Sequence, residues 1–194
     1  MCLTLCHPAN GDMSHFEYIQ PEGLIVMSDD CVIVADSKIH GLGVFAARDF
    51  ADDEIILPID DSHVVDAEPP LRHEFGEYSY HCDYLAGGTT VLMRFPERHI
   101  NSCCDPNSYV KTIDDVRHVV ARRPIKAGEE ITCDYIIDCY GGEVWQCNCG
   151  DPRCRGTIVS SFFELPVEWQ LEYLPLLNPW FIDEHRDRID ALHS

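Results

Sequence analysis

The chain has 194 residues, 45% of them apolar and 25% charged, which suits one globular unit around a packed core and excludes a chain too polar to fold. Its 14 Lys and Arg against 34 Asp and Glu give a net charge of −20, which repels phosphate backbones and anionic lipid and so argues against nucleic acid or a membrane surface as direct ligand. That charge suits a basic, Lys-containing protein or peptide, although acidity also serves solubility alone.

No apolar run approaches the ~18 residues of a membrane span, and the longest, 24–27 and 31–35, have strand length. The start of the chain, Met1-Cys2-Leu3-Thr4-Leu5-Cys6-His7, has neither the basic nor the long apolar region of a secretory signal. Eleven cysteines unevenly spread, without a secretory signal, point to a metal site in a reducing compartment. The chain is therefore expected to be intracellular, in nucleus or cytoplasm.

In chain order, 1–29 reads as an N-terminal extension with one strand near 23–27. Strands are expected over 31–36, 43–47 and 54–59, where β-branched and apolar residues run between turn residues. Residues 61–77 are acidic and contain Pro69-Pro70, which predicts a loop. The alternation of Tyr78, Tyr80, Cys82 and Tyr84 predicts a strand over 77–85. Gly87-Gly88 is a turn and 89–95 another strand. Two more strands in 109–123 are parted by Asp114-Asp115, and 124–130 turns into a short strand at 131–135. Helices are confined to the end. One is expected over 167–174, stopped by Pro175. Another starts at Asn178-Pro179, with Asn as cap, and carries Ile182, His185, Ile189 and Leu192 at helical spacing. The fold class is thus β-rich α+β with a C-terminal helical tail.

Four clusters carry chemistry. Cys147, Cys149 and Cys154 follow C-x-C-x4-C, and three thiolates so close need a cation; Zn2+ bound by sulfur wants a fourth ligand, for which Cys103, Cys104, Cys139 or a His are candidates. With four protein ligands such a site is structural. His40-Gly41-Leu42-Gly43-Val44-Phe45-Ala46 fits the dinucleotide fingerprint G-x-G-x-x-A, but 47–53 is too short and too acidic for the helix that would hold a pyrophosphate. It remains a glycine turn where backbone could approach a ligand. The others are Arg98-His99-Ile100-Asn101-Ser102-Cys103-Cys104-Asp105-Pro106-Asn107 and Gly128-Glu129-Glu130-Ile131-Thr132-Cys133-Asp134-Tyr135.

In order and spacing these four clusters, within about 30–158, resemble the SET-domain family of protein lysine methyltransferases. The resemblance implies several small curved sheets with a knot-like C-terminal segment and a post-SET zinc site. It divides the chain into the extension 1–29, a SET domain 30–140, a post-SET segment 141–160 and a helical tail 161–194, with no cysteine-rich pre-SET region. It implies methyl transfer from S-adenosylmethionine to the side-chain amine of a protein lysine, such as one on a histone tail. His40, Gly41, Leu42 and Gly43 would cradle the cofactor, joined by Tyr78, Arg98, Asn101 and backbone at Ser102. Tyr140 or Trp145 would stack on its adenine. Tyr135, with Asn101, would be catalytic. Cys104 would complete the zinc site of Cys147, Cys149 and Cys154. The attacking amine must be neutral, and at a reference pKa of ~10.4 only about one lysine in a thousand is neutral near pH 7. A neighbouring sulfonium and a dry channel would raise that fraction.

The chain departs from the family where its His and Ser become Ser102 and Cys103, and where an aromatic residue two before the catalytic Tyr becomes the smaller Cys133. The Ser102 and Cys103 departures motivate a second reading, a SET-like protein-interaction module with weak catalysis, and the short chain without accessory domains motivates a third, a methyltransferase for a non-histone or small-amine substrate.

Overall fold

A computed structural model describes residues 26–27, 31–65, 71–75 and 77–192. Apart from the short strand at its end, the N-terminal extension lies outside the described residues, as does the 66–70 part of the acidic loop. The strands among the described residues are β1 (Val26–Met27), β2 (Val32–Asp36), β3 (Leu42–Ala46), β4 (Ile55–Pro58), β5 (Cys82–Tyr84), β6 (Thr90–Leu92), β7 (Asn101–Ser102), β8 (Ser108–Ile113), β9 (Val116–Ala121), β10 (Glu130–Cys133), β11 (Tyr140–Gln146) and β12 (Thr157–Ser161). Three short helices follow, α1 (Val167–Tyr173), α2 (Pro179–Glu184) and α3 (Arg186–Ala191). The architecture is β-rich with several small sheets, and no described helix is long and apolar enough to cross a membrane.

The sheets run β1-β2-β3-β10-β7, β4-β9-β8, β5-β6 and β11-β12. The first and second share a core in which Val32, Val34, Val44, Phe50, Ile56, Val119, Ile125 and Ile131 are buried. β2 shows the half-buried alternation expected of it, with Val32 and Val34 inward and Ile33 between them only partly covered. β9 lies between β4 and β8, and its Val119, Val120 and Ala121 are all buried. The β8–β9 hairpin turns on Asp114 and Asp115 at φ 50° and 63°, the left-handed pair that a two-residue hairpin needs and that Asp tolerates.

The pairing that positions the site is between β10 and its two neighbours. β10 is antiparallel to β3, with Ile131 opposite Val44, and parallel to β7, with Thr132 opposite Asn101 and Cys133 opposite Ser102. Asn107 fixes this register from the side. Its Oδ1 accepts from the Thr132 amide at 2.9 Å and its Nδ2 donates to the Glu130 carbonyl at 2.7 Å.

A second core lies at the C-terminal side, where Cys104, Ile136, Ile158, Phe162, Tyr173, Phe181 and Ile189 are buried together. Helices of six or seven residues are too short to persist alone, so α1, α2 and α3 are held by this packing.

Three local expectations are corrected. The strand expected over 77–85 is a single 3-10 turn, Ser79–His81, followed by the shorter β5. Stacking of Tyr78 on Tyr80, with ring centroids 5.1 Å apart, favours the turn over the alternation. The helix expected from 178 onward is two helices that break at His185 (φ −118°, ψ 25°), whose ring packs on Phe181, Phe163 and Tyr140. Asn178 occupies the cap position without making a capping bond. Its side chain turns inward instead. Oδ1 accepts from the amide and hydroxyl of Thr112, at 3.2 and 2.8 Å, and Nδ2 donates to Asp138 at 2.5 Å. The β11–β12 hairpin was not anticipated, because the glycines and polar residues of 140–146 give no alternation, and all but Trp145 are exposed.

Burial pushes the Asp138 carboxyl up to about 6 against bonds from Asn178 that pull it down. The folded chain therefore holds this proton more tightly than the unfolded chain does. Its contribution to stability is full below pH 3.8 and declines as pH rises through about 6. Asn178→Ala leaves Thr112 and a charged Asp138 short of partners. In urea unfolding it should cost about 2–3 kcal/mol at pH 8 and clearly less at pH 4; an equal loss at both values would contradict this account.

Candidate active site and metal centre

The glycine turn between β2 and β3 closes through the Ser37 amide, which donates to the Gly41 carbonyl at 2.8 Å. Gly41 has φ +48°, and a Cβ there would meet nothing within 4 Å. Gly43 differs. A Cβ on it would lie 2.4 Å from a Glu130 carboxylate oxygen and 2.9 Å from Ser37 Cβ, so glycine is required by the chain's own packing. Across this gap Asn101, only 8% exposed, donates from Nδ2 to the carbonyls of His40 (3.2 Å) and Leu42 (3.0 Å) and to Glu130 Oε1 (2.9 Å). Its Oδ1 accepts no hydrogen bond among the described residues and is left as an acceptor for a ligand.

Tyr135 lies two residues beyond the last β7–β10 pair. Its hydroxyl donates to the Ile100 carbonyl at 2.6 Å, and its amide donates to Ser102 Oγ at 3.4 Å. The residue is 48% exposed, with the hydroxyl end tucked in against Ile100. Burial of that end raises the phenol above its ordinary value, helped by the neighbouring Cys133 and by the carboxylates Asp83 and Glu130. The preceding Asp134 points into the second core, paired with Arg155 at 2.8 Å and accepting from the Tyr173 hydroxyl at 3.2 Å.

Arg98 donates from Nε to His99 Nε2 at 3.2 Å, and its terminal nitrogens make no hydrogen bond among the described residues. Burial, with the Arg98 and His81 charges, takes His99 down to about 4, so it is neutral and able to accept. The turn holding both, Glu97–His99, packs against β3. Tyr78 joins it through His81, which stacks edge-on to Tyr78 at 5.8 Å and to His99 at 5.7 Å.

The sulfurs of Cys104, Cys147, Cys149 and Cys154 all lie within 4.8 Å of one another. Cys104 Sγ and Cys147 Sγ are 3.7 Å apart, close to the ~3.8 Å edge of a tetrahedron with ~2.3 Å Zn–S bonds. The Arg155 amide donates to Cys104 Sγ and the Gly156 amide to Cys154 Sγ, each at 3.4 Å, as thiolate ligands require. The donor set therefore fits zinc. Cys103 and Cys139 are not part of this group of four. Helix α1 braces the centre. Glu172 pairs with Arg122 and Arg153, Arg153 also pairs with Asp105, and the Tyr173 hydroxyl lies 3.1 Å from the Cys104 carbonyl.

The structure thus brings Asn101 to the carbonyls of His40 and Leu42, Tyr135 to Ile100 and Ser102, and Cys104 beside the three other thiols. The open backbone at Gly41, the free Asn101 Oδ1 and the unbonded Arg98 terminus suit the ammonium and carboxylate of an amino-acid ligand. Tyr140 and Trp145 make their contacts elsewhere. Tyr140 packs on Phe163 and His185 with the Arg188 guanidinium 5.3 Å from its ring, and Trp145 packs on the second core. Sequence reasoning gave no role to Ser37, Asn107, Glu130, Asp134, Arg155 or Tyr173. Glu130 and Asn107 lie inside the quoted motifs and could have been singled out. Ser37, Arg155 and Tyr173 act through partners 93, 21 and 69 positions away, which no local signal reveals.

The SET domain family model matches residues 41–136. Histone-lysine N-methyltransferase trithorax of Drosophila melanogaster is 30% identical over 136 residues, covering 65% of this chain and 4% of that protein. Histone-lysine N-methyltransferase, H3 lysine-36 specific, of Candida albicans is 31% identical over 136 residues, covering 63% of this chain and 16% of that protein. The protein of the same description in Mycosarcoma maydis is 40% identical over 65 residues, covering 31% of this chain and 7% of its own length. This chain thus spans at most 16% of the length of these relatives. The stretch 41–136, which holds Gly41, Gly43, Asn101 and Tyr135, belongs to the SET-domain family.

Proposed function

We propose that this protein transfers a methyl group from S-adenosylmethionine to the side-chain amine of a lysine in a basic protein. The observation that carries the reading is the seating of the Tyr135 hydroxyl on the Ile100 carbonyl, one residue from an Asn101 amide that grips the glycine turn. When bound, S-adenosylmethionine would supply an electrophilic sulfonium methyl. His40, Gly41, Leu42, Gly43, Tyr78, Arg98, Asn101 and Ser102 are the residues we assign to holding it. The Asn101 Oδ1 would take the amino group and the Arg98 guanidinium the carboxylate.

Tyr135 is read as an orienting group. Burial keeps its phenol protonated at neutral pH, so it directs a hydroxyl dipole and does not take the substrate's proton. The lysine must therefore arrive neutral, its proton lost to water. Backbone carbonyls of the 98–104 turn would hold the methyl group by weak C–H···O contacts. Zinc at Cys104, Cys147, Cys149 and Cys154 would fix the segment after Tyr135 against the 101–104 turn without entering the reaction. We read 30–140 as the catalytic unit, 141–160 as its zinc segment and 161–194 as a brace, working in nucleus or cytoplasm. The net charge of −20 favours a basic substrate, and the relatives' descriptions make an intact histone the first to try.

Radiolabelled transfer to intact histones is the test. Tyr135→Phe should lower kcat by about tenfold to a hundredfold while cofactor affinity by calorimetry stays within about twofold. An unchanged rate would remove Tyr135 from the reaction, and cofactor binding without transfer to histone, lysate protein or small amine would favour the interaction module. Below saturation the wild-type rate should rise about tenfold per pH unit from 7 to 9, following the substrate amine. A plateau near pH 7 would show that a group of this chain takes the proton.

The purified chain should hold one zinc. Cys154→Ser or a strong chelator should remove the metal, increase proteolysis after 140 and abolish transfer. Full activity in metal-free protein would refute the bracing role.

A further inference from the structure

We propose that Glu130 is a positioning residue that fixes which end of the Asn101 amide faces the ligand, with Ser37 holding its carboxylate in place. The inference rests on reading Asn101 as a cofactor-binding residue. The Asn101 amide has two hydrogens on Nδ2 and three acceptors around it, and Glu130 Oε1 is the nearest at 2.9 Å and carries charge. The opposite orientation would set the amide oxygen against a carboxylate and two carbonyls, with no donor to meet it. Glu130 therefore turns Nδ2 inward and leaves Oδ1 on the open side.

The carboxylate is itself held. Ser37 Oγ donates to Oε1 and Oε2 at 2.8 and 3.0 Å. The same oxygen accepts from the Ile39 amide at 2.9 Å, so the glycine turn and the carboxylate share one hydroxyl. Gly43 has no Cβ where Oε1 comes closest. Strand pairing sets the other end, because β10 places Glu130 opposite Phe45 and its carbonyl is taken by Asn107. A carboxylate held by Ser37 on one side and Asn101 on the other is more than is needed to join two strands already paired through their backbones. The arrangement accounts for Gly43 and Ser37 as well as Glu130.

Calorimetry on the full chain, with S-adenosylmethionine and with S-adenosylhomocysteine as probes, tests this. Glu130→Gln can present either its oxygen or its NH2 to Asn101, so nothing then fixes which end of the Asn101 amide turns inward. It should weaken both probes by about tenfold, because the amino-acid part that Asn101 serves is common to them. The melting midpoint should hold, and kcat at saturating cofactor should stay within about twofold, so that KM carries the change. In an Asn101→Ala background the substitution should cost nothing further. If Glu130→Gln does not fold, Ser37→Ala carries the test, with a loss of about threefold in both affinities.

Wild-type affinity in Glu130→Gln, an equal further loss in the Asn101→Ala background, or weakening of S-adenosylmethionine alone would each overturn the positioning role. No affinity for either probe in the wild type would instead overturn the cofactor reading itself, before any variant is compared.

Discussion

A parallel pairing only two residues long, Thr132 with Asn101 and Cys133 with Ser102, sets where everything chemical in this fold can be. It joins segments about thirty positions apart. On one side it puts Asn101 under the glycine turn and on the other it puts Tyr135 over the Ile100 carbonyl. Two residues of ladder are too few to hold themselves. Their stability comes from side chains that reach around them: Asn107 on the Thr132 amide and the Glu130 carbonyl, and Ser108 Oγ on the Thr132 carbonyl at 2.9 Å.

The far end of that pairing depends on the C-terminal core. Past Cys133 the chain alternates, with Asp134 inward and Tyr135 outward. The inward carboxylate is met by Arg155 from the cysteine segment and Tyr173 from α1. The Arg155 guanidinium lies 5.3 Å from the Trp169 ring, and that of Arg153 lies 4.6 Å from it. The sulfur cage, the helix that follows it and the strand bearing Tyr135 thus form one connected unit. Cys104, fully buried, belongs to the cage and to the apolar core at once. A metal there would act on the site by holding position, which is why a structural ion can matter to chemistry it does not touch.

Much of this was legible in the sequence, and the reasons differ by element. β2, β8 and β9 were readable because β-branched residues, a half-buried period and a turn of two aspartates all agree. The metal centre was readable as three spaced cysteines, whereas choosing Cys104 over Cys103 or Cys139 took the family resemblance and then the geometry. Tertiary contacts set the rest. Tyr78 and Tyr80 stack into a turn where their alternation suggested a strand. Asn178 gives up a capping bond for Thr112 and Asp138. The Glu130 carboxylate looks like an ordinary charged strand residue until Asn101, Ser37 and Gly43 are seen around it.

Cys104, closing the cage across to the 101–104 turn, is the contact on which the assembly of the site depends. X-ray absorption at the zinc edge of the purified chain reads this directly. Four sulfur neighbours at about 2.3 Å are expected, and in Cys104→Ser either loss of the zinc, as in Cys154→Ser, or a remnant with three sulfurs. Three sulfurs with a nitrogen or oxygen in the wild type, unaltered by that substitution, would contradict it.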